Sequence, residues 1–235
     1  RHRTVQKISE TMIDTIKTLL RGIGRAGSYL VPYRSGGRLS TLGDYLYTAW
    51  LARHFKHIGA NVYIRRPVSL KGGKYISIGS HSVIQKGCIL NAWDRYGDQS
   101  FTPEIAIGEH VSIGEWSHLS AIRAIRIGNY VLTGRRVTIV DNSHGRGTSE
   151  ELGMHPEDQP LYSKGVVTIG NNVWIADKVT ILSGVTIGDN SMIGANAVVT
   201  HDIPAGVIAA GVPARVIRQI SQSQNNSEKQ GSLDS

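Results

Sequence analysis

From Ile169 onward an aliphatic residue returns every six positions: Ile169, Ile175, Ile181, Ile187, Ile193 and Val199. A small residue follows four of them, at Gly170, Ala176, Gly188 and Gly194. The same lattice stands upstream at Ile78, Ile84 and Leu90, at Ile107, Ile113 and Leu119, and at Ile127, Thr133 and Ile139. An amphipathic helix repeats its apolar face at three and four residues, and a half-buried strand at two. A period of six fits neither. It predicts an all-β core, a parallel β-helix built from hexads. Each hexad is one short strand and one tight corner. The aliphatic side chain points inward and the small residue leaves room at the corner. Three hexads close a triangular coil, as from Ile127 to His144 or from Ile169 to Thr186. A sandwich of short strands would carry no such fixed spacing.

The lattice is broken twice, by loops over 91–104 and 145–168. Ahead of it the pattern changes. Val5, Ile8, Met12, Ile16, Leu19, Leu20 and Ile23 follow steps of three and four and predict a helix, which Gly22, Gly24 and Gly27 break. Residues 28–39 read as a loop. A second helix is predicted from Thr41, as N-cap, to His57, with Gly59 as its stop. Three parts result: a helical N-terminal segment over 1–66, the β-helix over 67–217 and a polar tail over 218–235, read as disordered.

Charge sharpens this division. Residues 1–66 hold 12 Lys/Arg against 3 Asp/Glu, while the rest holds 14 against 15, so the net charge of +8 belongs to the first part. A basic helix with Lys17, Arg21 and Arg25 beside an apolar stripe suits an anionic membrane surface. Packing against the main domain or a partner subunit is the alternative, favoured for the second helix. With 40% hydrophobic and 19% charged residues the chain is of the globular class. It carries no apolar run long enough to span a bilayer. The single cysteine, Cys88, excludes an intrachain disulfide and fits a reducing compartment; it reads as a packing residue. The chain opens on Arg1 rather than Met, which leaves a preceding signal segment open. Phosphate-loop, dinucleotide and zinc spacings are absent from the sequence.

A β-helix presents flat faces, so chemistry has to come from its excursions and from neighbouring chains. The larger excursion leaves directly after "VDNSH", with His144 at its edge. A histidine there suits a general base, because its unperturbed pKa lies near neutrality. Asn142 is a candidate oxyanion donor. Asp141 is a candidate to orient the imidazole or bind a substrate hydroxyl, or a plain turn residue. Among the nine histidines the rival is His118, read as a substrate contact or a support for one.

Residues 167–220, "VTIGNNVWIADKVTILSGVTIGDNSMIGANAVVTHDIPAGVIAAGVPARVIRQI", and 127–144, "IGNYVLTGRRVTIVDNSH", resemble the hexapeptide-repeat O-acetyltransferases, the group of galactoside and maltose acetyltransferases. "IGEHVSIGEWSHLSAI" and "DNSHG" are most similar to the acetyltransferases of lipopolysaccharide and O-antigen assembly. The resemblance implies a left-handed coil and a homotrimer with a site in each cleft between chains. It implies acetyl-CoA as co-substrate, no metal, no nucleic acid, and His144 as the base in direct attack of a sugar hydroxyl on the thioester. It places the protein in the cytoplasm, at the inner membrane face if the acceptor is lipid-linked. It implies cofactor contacts at Gly114, Ala176, Asp177, Ala195, Thr200, His201, Arg215 and Arg218. Asp177 and His201 depart from the small residue and lysine usual there. The sugar-binding residues of the galactoside enzymes do not match, so galactoside is not implied as acceptor. An amine or hydroxyl of a nucleotide sugar or antibiotic is the alternative acceptor. A trimeric zinc enzyme using His81, His110 and His118, and a non-catalytic scaffold, are the rivals from other classes.

Overall fold

The computed structural model describes residues 13–23, 25 and 33–220. Two units divide the chain, residues 1–46 and 47–235. In the first, residues 13–23 are helical. The expected helix over Val5–Met12 and the tail beyond 220 lie outside the described residues. The second helix runs Tyr33–Ala52, so it begins and ends earlier than the pattern predicts. Gly36 and Gly37, each worth about 1 kcal/mol against a helix, made its first turns read as loop. Pro32 directly precedes Tyr33, and proline suits a helix start.

The helix stops at Ala52 because the chain turns there. The carbonyls of Leu51 and Ala52 accept the N–H groups of His54 and Phe55. Phe55 is buried, and Lys56 N–H reaches the carbonyls of Gly73 and Ile76. His57–Ile58 then pairs in parallel with Ser77–Ile78. The stack therefore begins at His57, ahead of the expected boundary at 67. Ile58, Ile64 and Leu70 already carry the six-residue step. Thr48 closes the first edge: its hydroxyl accepts from Ile64 N–H at 2.9 Å. Leu51 and Phe55 complete that end of the core, which is the packing reading of the second helix for residues 47–55.

Strands then visit three sheets in turn, pairing in parallel as far as Val207–Gly211. The first sheet stacks Ile58, Ile78, Ile107, Ile127, Ile169 and Ile187. The second stacks Ile64, Ile84 and Ile113, then Thr133, Ile175 and Ile193. The third stacks Leu70, Leu90, Leu119, Ile139, Ile181 and Val199. These columns form the core. Thr133 is tolerated inside because its hydroxyl accepts Gly114 N–H at 2.8 Å and donates to the Gly134 carbonyl at 3.2 Å.

The corners explain the residue after three of the Ile–Gly pairs. Asn129, Asn171 and Asp189 each accept, through a side-chain oxygen, a backbone N–H of the preceding coil, at 2.8, 2.8 and 2.7 Å. Corner residues without glycine's freedom sit in the left-handed region, among them His81, His110, Tyr130 and Trp116, at φ 54 to 61. The stack ends in an antiparallel pair, Val207–Gly211 with Ala214–Gln219, which covers the last parallel strand of the second sheet.

Candidate active site

Both excursions leave at the end of third-sheet strands, and they meet. The first is a small hairpin, Arg95–Tyr96 against Gln99–Ser100. In the second, Leu161–Tyr162 runs antiparallel to Ser143–His144. Gln99 joins the two loops: its amide donates to the Leu161 carbonyl at 3.2 Å and accepts from Leu161 N–H at 2.7 Å. Under this wall, against the third sheet, lies a pocket of about 290 Å³. His118, Ser120, Val140, Asn142, Ser143 and His144 line its floor; Asn91, Trp93, Tyr96 and Leu161 close it.

The structure thus brings His144, His118 and Asn142 together. The His144 imidazole is exposed, with Nδ1 3.3 Å from the Tyr96 hydroxyl and the two rings edge to face at 5.3 Å. Tyr96 in turn donates to the Glu157 carbonyl. Among the described residues, His118 Nε2 is the only buried side-chain polar atom with no hydrogen-bond partner. Burial also lowers its pKa, so the ring stays neutral near pH 7 and offers an unmet hydrogen bond to the pocket's occupant.

Two expectations change. Asp141 neither orients the imidazole nor faces the pocket. It is fully buried, and its carboxylate accepts the N–H groups of Ile122 at 2.8 Å and Arg123 at 2.7 Å. Burial raises its pKa, against the pull of these donors. It ties the turn of one coil to the next, the turn-residue alternative. Asn142 does not aim its NH₂ at an oxyanion. That group donates to the Ser120 carbonyl and to Asp141 Oδ1, both at 3.0 Å. Both partners accept only, which fixes the amide's orientation and leaves its oxygen as acceptor. Tyr96, Trp93 and Leu161 escaped the sequence reading; they stand in the excursions, whose length was the only signal.

Residues 167–201 match the family model described as bacterial transferase hexapeptide (six repeats). An Escherichia coli K12 protein is 29% identical over 196 residues, 82% of this chain and 93% of that protein. Its name assigns it, provisionally, to lipopolysaccharide biosynthesis as the O-acetyl transferase WbbJ. The galactoside O-acetyltransferase of the same organism is 50% identical over 97 residues, 41% of this chain and 45% of that protein. The chain carries that hexapeptide repeat and is similar to the hexapeptide-repeat O-acetyltransferases. It is an acyltransferase. In fold it is similar to AntD, an N-acyltransferase from Bacillus cereus solved with dTDP and 3-hydroxybutyryl-CoA, at a TM-score of 0.63 and 21% identity over 74% of this chain and 88% of that one.

The cofactor contacts that the family implies fall into separate places. Gly114, Ala176, Asp177 and Ala195 lie at the corners between second- and third-sheet strands. Gly114 and Asp177 share a hollow of about 440 Å³ there with Gly134 and Arg135. Gly114 has to be glycine: a Cβ would stand 2.0 Å from the Gly134 carbonyl oxygen. Asp177 Oδ1 accepts Arg135 N–H at 2.7 Å, so this departure from the family's small residue does a corner's work. Thr200 and His201 follow the last third-sheet strand, with Thr200 Oγ1 2.7 Å from His201 Nδ1. Arg215 and Arg218 project from the terminal strand and are exposed. Cys88 is buried, its thiol pushed up to about 11 chiefly by desolvation, and it donates to the Gly114 carbonyl. It is a packing residue. Trp174 is 49% exposed on the outer face of the second sheet. His81 and His110 stack face to face at 4.8 Å at one corner, while His118 stands in the third sheet. The three do not converge, and no group of three metal-binding side chains is found among the described residues.

Proposed function

We propose that the chain transfers an acetyl group from acetyl-CoA to a sugar hydroxyl during assembly of a cell-surface polysaccharide, with His144 as general base. The observation that carries this is the pocket under the two excursions, in which His144 and His118 stand among uncharged polar and aromatic groups. His144 takes the hydroxyl proton as the oxygen bonds to the thioester carbon. The tetrahedral intermediate collapses, the C–S bond breaks, and the imidazolium returns the proton to the CoA sulfur. His118 hydrogen-bonds the acceptor through its unmet Nε2. Acetyl-CoA as donor is supported by the likeness to the O-acetyltransferases and by AntD, solved with an acyl-CoA. The polysaccharide role rests on the likeness to WbbJ.

The amine alternative draws on AntD, an N-acyltransferase. An amine reaches the site as an ammonium ion, and no carboxylate lines this pocket to receive it. The hydroxyl reading is therefore preferred.

The coil is left-handed and the working unit is a homotrimer in this reading. His144 stands where the third sheet ends; Gly114, Ala176, Asp177 and Ala195 stand where it begins. A single CoA touches both sets across a cleft formed by two copies. Leu132, Trp174 and Met192, aligned on the outer face of the second sheet and exposed, suit such a contact. No described helix is long and apolar enough to cross a membrane. The protein works in the cytoplasm, and residues 13–25 rest on the inner membrane face. Ile13, Ile16, Leu19, Leu20 and Ile23 are 45–64% exposed there, with Lys17 and Arg21 alongside.

Incubation with acetyl-CoA and a panel of neutral, amino and nucleotide sugars, read by product mass, tests this. A mass gain of one acetyl group confined to hydroxyl acceptors is expected. Transfer to amines alone would replace the hydroxyl reading, and no transfer to any acceptor would favour a scaffold.

A further inference from the structure

We infer that Tyr96 is a positioning residue that fixes the proton of His144 on Nδ1 and so leaves Nε2 free to act as the base. The inference rests on His144 being the base and adds how the chain prepares it. A tyrosine hydroxyl has one hydrogen to donate. The Glu157 carbonyl can only accept, and it takes that hydrogen. The Tyr96 oxygen then has only lone pairs to offer to His144 Nδ1, 3.3 Å away. That contact is a hydrogen bond only if Nδ1 carries the hydrogen. A neutral imidazole carries one N–H, so Nε2 keeps its lone pair.

The arrangement takes the place of a carboxylate partner. Asp141, three positions before His144 in sequence, has both oxygens occupied by Ile122 and Arg123 N–H. The two excursions supply the chain of groups between them: Tyr96 from the first, Glu157 from the second. Gln99 locks the loops together through Leu161, which pairs with the His144 backbone. Trp93 packs its ring edge to face against Tyr96 at 6.1 Å, limiting how the phenol can turn. When Nε2 takes the acceptor's proton, the new positive charge is shared by Nδ1–H, which points at an oxygen already polarised by the Glu157 carbonyl. No proton moves along this chain, and the Nε2 proton leaves on the CoA sulfur.

The test is nitrogen NMR of the imidazole, with the His144 signals assigned by their loss in His144→Ala. It is made on the full chain at mildly alkaline pH and paired with kinetics of Tyr96→Phe. Nδ1 should be the protonated nitrogen in the wild type. Tyr96→Phe should give a mixture of tautomers and lower kcat roughly tenfold to a hundredfold, as for other partners that fix a histidine's tautomer, with KM for acetyl-CoA unchanged. A purely structural Tyr96 would leave the tautomer unmoved. Protonation at Nε2 in the wild type overturns the inference, as does a Tyr96→Phe variant with unchanged tautomer and kcat. Wild-type turnover in His144→Ala would instead sink the base assignment, separately from the tautomer result.

Discussion

Asp141 sits two residues from the pocket-lining Ser143 yet works on the fold. Asp141→Ala strands the N–H groups of Ile122 and Arg123, the first in a buried residue. Leaving such donors unmet costs about 1–3 kcal/mol each, so a loss of roughly 2–4 kcal/mol is expected in chemical denaturation. The folded fraction should keep its turnover. A variant with unchanged stability and no activity would return Asp141 to the chemistry. His144→Ala, in contrast, should keep the stability and lower turnover by about 10² to 10⁴, the worth of a positioned base, without loss of acetyl-CoA binding by calorimetry. His118 carries a pH signature. Its folded pKa lies below the ordinary 6.5 because burial disfavours the charged ring. The unfolded chain therefore protonates first, and the stability His118 provides is full above pH 6.5 and lost as the pH falls through its folded value. His118→Gln should lose less stability between neutral and acidic pH than the wild type; equal losses would contradict that burial. At this scale the sequence named His144 through the break in the lattice and His118 through the resemblance of its "SHLSAI" stretch to the O-antigen acetyltransferases. It could not tell Asp141 as a buried tie from Asp141 as a catalytic partner, because either role asks only for a carboxylate beside the turn.

The hexad is the element that the sequence writes most plainly, since one inward aliphatic side chain per strand leaves a period that no other element shares. The corner caps at Asn129, Asn171 and Asp189 follow the same step and could be read with it. The excursions could not. Their strands, Arg95–Tyr96 and Leu161–Tyr162, are two residues long and hold no apolar repeat, and their order comes from one glutamine bridging two loops. The first coil was missed for another reason: Ile58 and Ile64 sit in the most basic part of the chain and were grouped with it by charge. The outward face of the second sheet carries its own prediction. Leu132 and Trp174 are about half exposed and adjacent in register. Trp174→Glu should turn the proposed trimer into monomers by light scattering while the β signal in circular dichroism persists. A variant that remains trimeric would show that copies meet elsewhere.

At the scale of the whole molecule, the third sheet separates the proposed base from four of the eight cofactor positions that the resemblance implies, and association of copies would join them. The N-terminal segment adds a further expectation. The proposed trimer should bind vesicles containing anionic lipid, bind neutral ones less, and lose binding in high salt or after deletion of residues 1–27. Binding that survives the deletion would remove the segment from the membrane. The most direct measurement is complementation between two damaged copies. His144→Ala removes the base from one corner, and Ala176→Trp blocks the cofactor path on the other. Each variant alone should be inactive as a trimer. In a mixed trimer of cyclic symmetry one cleft of three unites an intact base with an intact cofactor corner. Co-expressed and isolated with different tags, the mixed trimers should recover up to about one third of wild-type acetyl transfer. Mixed trimers as inactive as their parents would mean that each chain holds its whole site, and the shared cleft would be wrong.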